Sequence, residues 1–111
     1  LYAAFADHGR IAGSALVSPE TLDALTRARF EGEDRVLPFS MCWAAGIEID
    51  RFASYGPNRN AFAHSGLGGA IGYADPDRGF ACAYVMNKQA PTLRADPRGT
   101  RLIAALFSCL N

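Results

Sequence analysis

The sequence predicts an α+β fold, in which an antiparallel sheet carries helices packed against it. Three observations predict it. Side chains that cap helices stand directly before proline at Ser18-Pro19-Glu20 and at Asp96-Pro97. The apolar pattern changes to a period of two from Met41 onward. The turn sequence Asp75-Pro76-Asp77-Arg78-Gly79 separates two apolar runs, as a connection between antiparallel strands should.

The elements follow in chain order. Residues 1–7 are apolar and alanine-rich and precede His8-Gly9, so they read as the last turns of a helix that begins upstream, with Gly9 as its left-handed closing residue. Gly13 and Ser14 continue the loop. Ser18 supplies a cap, Pro19 a preset first helical position and Glu20 an acid for the positive end of the dipole. Leu22, Leu25 and Ala28 recur at helical spacing, which gives a helix of about three turns with Arg27 and Arg29 near its end. Residues 31–34 read as a charged connection. One strand is expected across 41–50, with Met41, Trp43, Ala45, Ile47 and Ile49 on one face and Glu48 and Asp50 on the other. Residues 55–60 form a turn-rich loop.

Residues 61–87 then read as two antiparallel strands with a tight connection. The second, from Phe80 to Met86, is apolar at nearly every position, as expected of a strand covered on both faces. A loop with Pro91 leads to the Asp96 cap and a final helix, whose Leu102, Ile103, Leu106, Phe107 and Leu110 form one wide apolar stripe.

Composition excludes several classes of function. Eleven basic side chains balance eleven acidic ones with the signs interspersed, so the basic stripe that nucleic acid requires is missing. The longest apolar run is a handful of residues, against the ~20 that span a bilayer. Cys42, Cys82 and Cys109 are widely spaced, with neither a CxxC pair nor zinc spacing. They read as three small, largely buried thiols in a reducing compartment, which favours the cytoplasm. Leu1 is not a methionine, and no basic segment followed by an apolar one marks an export signal.

The candidate chemistry lies in His64-Ser65-Gly66-Leu67-Gly68-Gly69-Ala70-Ile71-Gly72. A dinucleotide-binding loop would need G-x-G-x-x-G before a helix, but Ile71 stands where the third glycine should be and a strand follows. A local Ser65–His64–Asp75 triad meets a geometric objection, because adjacent strand residues point to opposite faces. Asp75 is better explained as a turn residue bonded to its own backbone. The third reading is a strand edge lining an active site, with glycines that let substrate approach the backbone.

This third reading is where a resemblance enters. His64-Ser65-Gly66, a glycine-rich bend, Gly72-Tyr73-Ala74-Asp75-Pro76 and Ala83-Tyr84-Val85-Met86-Asn87 resemble the third conserved region of β-lactamase-like serine hydrolases. That group includes class C β-lactamases, penicillin-binding proteins, D-aminopeptidases and family VIII esterases. Leu16-Val17-Ser18-Pro19-Glu20-Thr21 and Asp96-Pro97-Arg98 also look like its C-terminal portion, so the resemblance covers nearly the whole chain. It implies that residues 1–111 are a single C-terminal segment of such a domain. His64 would take the first position of the family's Lys/His-Thr/Ser-Gly triplet and shape the electrostatics of the site. Ser65 would take the second, where a hydroxyl can bind a substrate carboxylate in penicillin-recognising relatives. Gly66 would keep the strand edge open, and the Leu67 N–H would be one of two oxyanion-hole donors. Trp43 would be core or pocket wall.

The resemblance also implies small-molecule ester or amide substrates, an acyl-enzyme and no metal or organic cofactor. Histidine in place of the lysine usual in β-lactamases shifts the expectation toward esters. The family's S-x-x-K is absent, since Lys88 has Val85 three residues before it. Y-x-N is absent too: Tyr2, Tyr55, Tyr73 and Tyr84 precede Ala4, Pro57, Asp75 and Met86. Both motifs would lie upstream of Leu1, and without the activated serine 1–111 alone would be inactive. Exposed apolar surface would then favour oligomers. A non-catalytic binding module derived from the same fold is the alternative, and a free-standing hydrolase using Ser65 or another local serine is a third reading. For the other polar residues plainer roles suffice: His8 at a helix end, Arg27, Arg29, Arg98 and Arg101 on solvated helix faces, and Tyr73 and Tyr84 in the sheet.

Overall fold

The computed structural model describes residues 1–110. Helix α1 (Tyr2–Ala6) is followed by a hairpin of β1 (Arg10–Ile11) and β2 (Ser14–Ala15), then by α2 (Pro19–Thr26). Six strands come next: β3 (Phe30–Glu33), β4 (Ser40–Trp43), β5 (Glu48–Ile49), β6 (Phe62–Ser65), β7 (Ile71–Asp75) and β8 (Phe80–Tyr84). Helix α3 (Pro97–Cys109) closes the chain. The six strands form one sheet in sequence order, each antiparallel to its neighbour.

Strand alternation sorts the core onto the two faces of this sheet. Ile49, Phe62 and Ala74 lie opposite one another in register and pack with Phe5 and Ala6 of α1 and with Cys42. The rings of Phe5 and Phe62 are 5.5 Å apart. On the other face Ala63, Ile71 and Tyr73 meet Ile103 and Phe107 of α3. Burying those two α3 side chains contributes about 1.5–3 kcal/mol each, which anchors the helix to the sheet. The expected α+β arrangement is therefore present.

Several elements differ from the sequence expectation, each for a local reason. The N-terminal loop is a two-residue hairpin, because Ala12 (φ 48°) and Gly13 (φ 80°) both take the positive dihedrals that such a turn needs. Ser18 caps α2 as expected, its hydroxyl accepting the Thr21 N–H at 3.2 Å. However, α2 ends at Thr26, so it has eight residues and Ala28 lies outside it. The charged connection at 31–34 belongs largely to an edge strand, β3.

The single strand expected over 41–50 is two strands folded back on each other, with Trp43 opposite Glu48. Gly46 (φ 83°) lets the chain reverse inside an alternation that carries on across the turn. Glu48 and Asp50, expected on the face opposite Ile47 and Ile49, are as deeply buried as those two apolar neighbours. The first of the two strands expected at 61–87 is divided into β6 and β7 by the glycine-rich bend. The second, β8, is an edge strand with half-buried residues and not a doubly covered one. In the α3 stripe Ile103 and Phe107 are buried while Leu102, Leu106 and Leu110 are exposed. Cys42 is buried, Cys82 intermediate and Cys109 exposed, all as free thiols, so the three are not uniformly buried.

Candidate active site

β6 carries the candidate triplet, and its register explains why its end is open. β7 pairs with it through Ser65, opposite Ile71. On the other side β5 pairs only with Phe62 and Ala63. Backbone groups alternate sides along a strand, and the Gly66 N–H turns toward β7, donating to the Ala70 carbonyl at 2.8 Å. Leu67 follows it with its N–H directed to no protein acceptor among the described residues. His64, Gly66 and Leu67 are all exposed, whereas Ser65 is half-buried.

The bend after Leu67 is clamped from behind. Gly68 donates its N–H to the Thr92 carbonyl at 3.1 Å and accepts the Ala90 N–H at 2.9 Å. Arg98 donates to the Gly68 carbonyl at 3.3 Å and to the Lys88 carbonyl at 2.8 Å. Asp96 accepts from Arg98 Nε at 2.9 Å, from the Arg98 N–H at 2.9 Å and from the Thr92 hydroxyl at 2.9 Å. These Arg98 bonds, with Thr92 adding less, hold the Asp96 carboxyl well below the usual carboxylate range. Gly69 (φ 119°) lies so close that an added Cβ would stand 2.6 Å from Asp96 Oδ2. Arg98, expected on a solvated face, is instead the brace that ties the bend to the start of α3.

Ser65 is drawn inward. Its hydroxyl donates to Tyr55 Oη at 2.9 Å and accepts the Ala95 N–H at 2.8 Å. Tyr55 donates in turn to Glu48 Oε2 at 3.2 Å. Glu48 Oε1 pairs with Arg94, whose Nη1 also donates to the Ser40 carbonyl at 3.3 Å. The Arg94 guanidinium lies over the rings of Tyr55 (5.6 Å) and Phe39 (5.7 Å). Burial pushes the Glu48 carboxyl up, and Arg94 is the main influence pulling it back. Burial is also the main reason the Tyr55 phenol lies far above its ordinary value, so it remains a neutral donor.

Trp43 is half-buried, with Nε1 donating to Asp34 Oδ2 at 2.9 Å and its ring 5.6 Å from that of His64. The structure thus brings Trp43 and His64 together at the margin of the open edge. It does not bring Asp75 to them: that carboxylate lies at the far end of β7, opposite Phe80, bonded by Asn58 Nδ2 at 2.7 Å. The Ser65–His64–Asp75 triad therefore does not form. Among the described residues no cluster of three or more His, Cys, Asp or Glu could hold a metal, and no helix is long and apolar enough to cross a membrane.

Sequence reasoning missed Glu48, Tyr55, Arg94 and Asp96 as parts of this site. Glu48 follows the strand alternation that a solvent-facing residue would show, and Arg94 is 46 positions away. Asp96-Pro97-Arg98 was legible as a helix cap, though not as a clamp on Gly68.

A family model described as Beta-lactamase matches residues 1–106. The chain is 35% identical over 101 residues to an esterase/β-lactamase of Mycobacterium tuberculosis, LipL, covering 89% of this chain and 23% of that protein. A penicillin-binding protein homolog from Caulobacter crescentus superposes with a TM-score of 0.91 at 44% identity, covering 96% of this chain and 29% of that one. A family VIII carboxylesterase superposes with a TM-score of 0.90 at 36% identity, over 97% of this chain and 29% of that one. The chain thus spans roughly a quarter of the length of these relatives. On the family match over residues 1–106 and these likenesses, the chain belongs to the β-lactamase family, with an α+β fold shared with a penicillin-binding protein homolog and a family VIII carboxylesterase.

Proposed function

We propose that residues 1–111 are the C-terminal segment of one β-lactamase-like domain and form a wall of a serine-hydrolase active site. The nucleophilic serine lies upstream, and the substrate is a small-molecule ester or amide. The observation that carries this reading is the Leu67 N–H at the open end of β6, which meets no protein acceptor among the described residues. A fixed N–H at an exposed, glycine-flanked edge suits an oxyanion that develops as a carbonyl is attacked. Such a donor is worth about 3–4 kcal/mol of transition-state stabilisation. The descriptions of two relatives, an esterase/β-lactamase and a carboxylesterase, support the same class of reaction.

In this reaction the serine oxygen bonds to the carbonyl carbon and its proton passes to the departing alkoxide or amine. Water then attacks the acyl-enzyme, releasing the acid and restoring the serine. Leu67 holds the carbonyl oxygen, Gly66 admits it to the strand edge, and His64 with Trp43 borders the substrate. Ser65 sets the hydrogen-bonding character of the edge beneath it. The chemistry calls for neither metal nor organic cofactor.

The test is a fluorophosphonate probe on the intact native polypeptide, followed by mapping of the labelled peptide. The expected label is on a serine before Leu1 with lysine three residues after it. A label on Ser65, or none on an actively hydrolysing protein, would overturn the reading.

A further inference from the structure

Glu48 ends a chain of hydrogen bonds that reaches the open strand edge. Its Oε1 accepts from the Arg94 guanidinium and its Oε2 from the Tyr55 hydroxyl, so both carboxyl oxygens are occupied as acceptors. Tyr55 has one hydroxyl proton and donates it to Glu48, so on its other side the phenol oxygen can only accept. Ser65, 2.9 Å away, must therefore be the donor of that contact. Its single proton is committed there. The Ala95 N–H, at 2.8 Å, engages one of its lone pairs. What Ser65 has left is one lone pair.

We infer that the Arg94–Glu48–Tyr55 chain fixes Ser65 as a hydrogen-bond acceptor toward the substrate edge, so that the site rejects ligands placing a carboxylate there. The inference deepens the hydrolase reading and rests on β6 being the edge at which substrate docks. An anion opposite Ser65 would meet a lone pair and lose its own hydration without replacement. Arg94 does not rescue it. Its charge is matched by Glu48, and although its Nε is buried without a protein acceptor among the described residues, the cavity bounded by Glu48, Tyr55, Ser65 and Arg94 is about 20 Å³. That is room for one water and not for a carboxylate. Tyr55, Glu48 and Arg94 are positioning residues in this scheme, and Ser65 determines specificity.

Tyr55→Phe keeps the ring and frees the Ser65 proton. In the intact polypeptide the readout is kcat/KM for the p-nitrophenyl hemisuccinate ester, divided by that for p-nitrophenyl butyrate. The substitution should raise this ratio at least about tenfold, the lower end of a charge-assisted hydrogen bond. A merely structural role would lower both values and leave the ratio where it was, and an unchanged or reduced ratio overturns the inference. If neither ester is hydrolysed, the hydrolase reading fails separately, and free n-butyrate binding then decides the inference. Saturable shifts of the Ser65 and Leu67 amide resonances are expected in Tyr55→Phe and absent in wild type. Shifts of equal strength in the two proteins overturn it. Should Tyr55→Phe not fold, the wild-type Ser65 hydroxyl proton is read directly. Slow exchange and cross-relaxation to the Tyr55 ring protons are expected, and exchange at the solvent rate overturns the assignment.

Discussion

At Glu48 a carboxylate with 1% of its side chain exposed faces a guanidinium with 10% exposed. A pair so enclosed is worth little against an apolar replacement, yet breaking it leaves a charge without solvent or partner. Arg94→Met should therefore cost about 3–5 kcal/mol, read as a lower urea midpoint, and adding Glu48→Gln should restore part of that loss. The pH dependence has a definite sign. Burial raises the folded pKa of Glu48 above its unfolded value, so its contribution is most favourable below about pH 4 and worsens as pH rises. Removing Arg94 strengthens this, and the deficit of Arg94→Met should be smaller at pH 5 than at pH 8. A deficit equal at both, or larger at pH 5, would contradict the ion-pair account. None of this could be read from the sequence at Glu48, where a strand alternating Ile47-Glu48-Ile49-Asp50 looks half-solvated. Burial of the charged positions depends on Arg94 for one and on the N–H groups of Ser54, Tyr55 and Gly56 for the other. His64-Ser65-Gly66, by contrast, stood out because its glycine-rich continuation served no regular element.

The bend between β6 and β7 shows how elements fix a residue that none of them contains. Leu67 keeps its place because Gly68 and Gly69 are held against the Asp96–Arg98 brace at the start of α3. Gly69→Ala combines a positive φ of 119° with a Cβ 2.6 Å from Asp96 Oδ2. It should destabilise by about 1–3 kcal/mol from backbone strain alone, with the clash added, and should speed amide exchange at Gly68 and Ala90. Gly79→Ala is the control: its φ is 67° but nothing stands within 4 Å of the added Cβ. That change should cost only the left-handed conformation, about 1–2 kcal/mol, and leave exchange at Gly68 unaltered. Equal exchange in the two variants would show that the brace does not hold the bend. The Asp96 carboxyl has a depressed folded pKa, so the brace contributes fully above about pH 4 and is lost as pH falls further. Both caps that begin the longer helices were legible in the sequence, because Ser18-Pro19 and Asp96-Pro97 act through local hydrogen bonds. The β4–β5 reversal was not, because a two-residue strand has no period of its own and the alternation ran through the turn unbroken.

For the molecule as a whole, the sheet is left open along its two outer strands. β3 and β8 are its two edges, and beyond β8 the exposed Val85 continues the strand line. Beside that edge a groove of about 340 Å³ runs between β8 and α3, bordered by Ile71, Cys82, Tyr84, Leu102 and Leu106. Leu102 is 55% exposed and Leu106 39%, on the same stripe whose Ile103 and Phe107 are buried. An unpaired edge next to an apolar groove offers backbone hydrogen bonds and apolar burial to the same visitor. Residues 1–111 in isolation should therefore self-associate, with sedimentation showing dimers or larger species as concentration rises. Leu102→Lys with Leu106→Lys should shift that equilibrium toward monomer while the far-ultraviolet circular dichroism stays the same, since neither side chain belongs to the core that Ile103 and Phe107 form under α3. A monodisperse, cooperatively melting monomer of the unaltered chain would refute this, and would mean that α3 and the sheet suffice to hold the segment folded on their own.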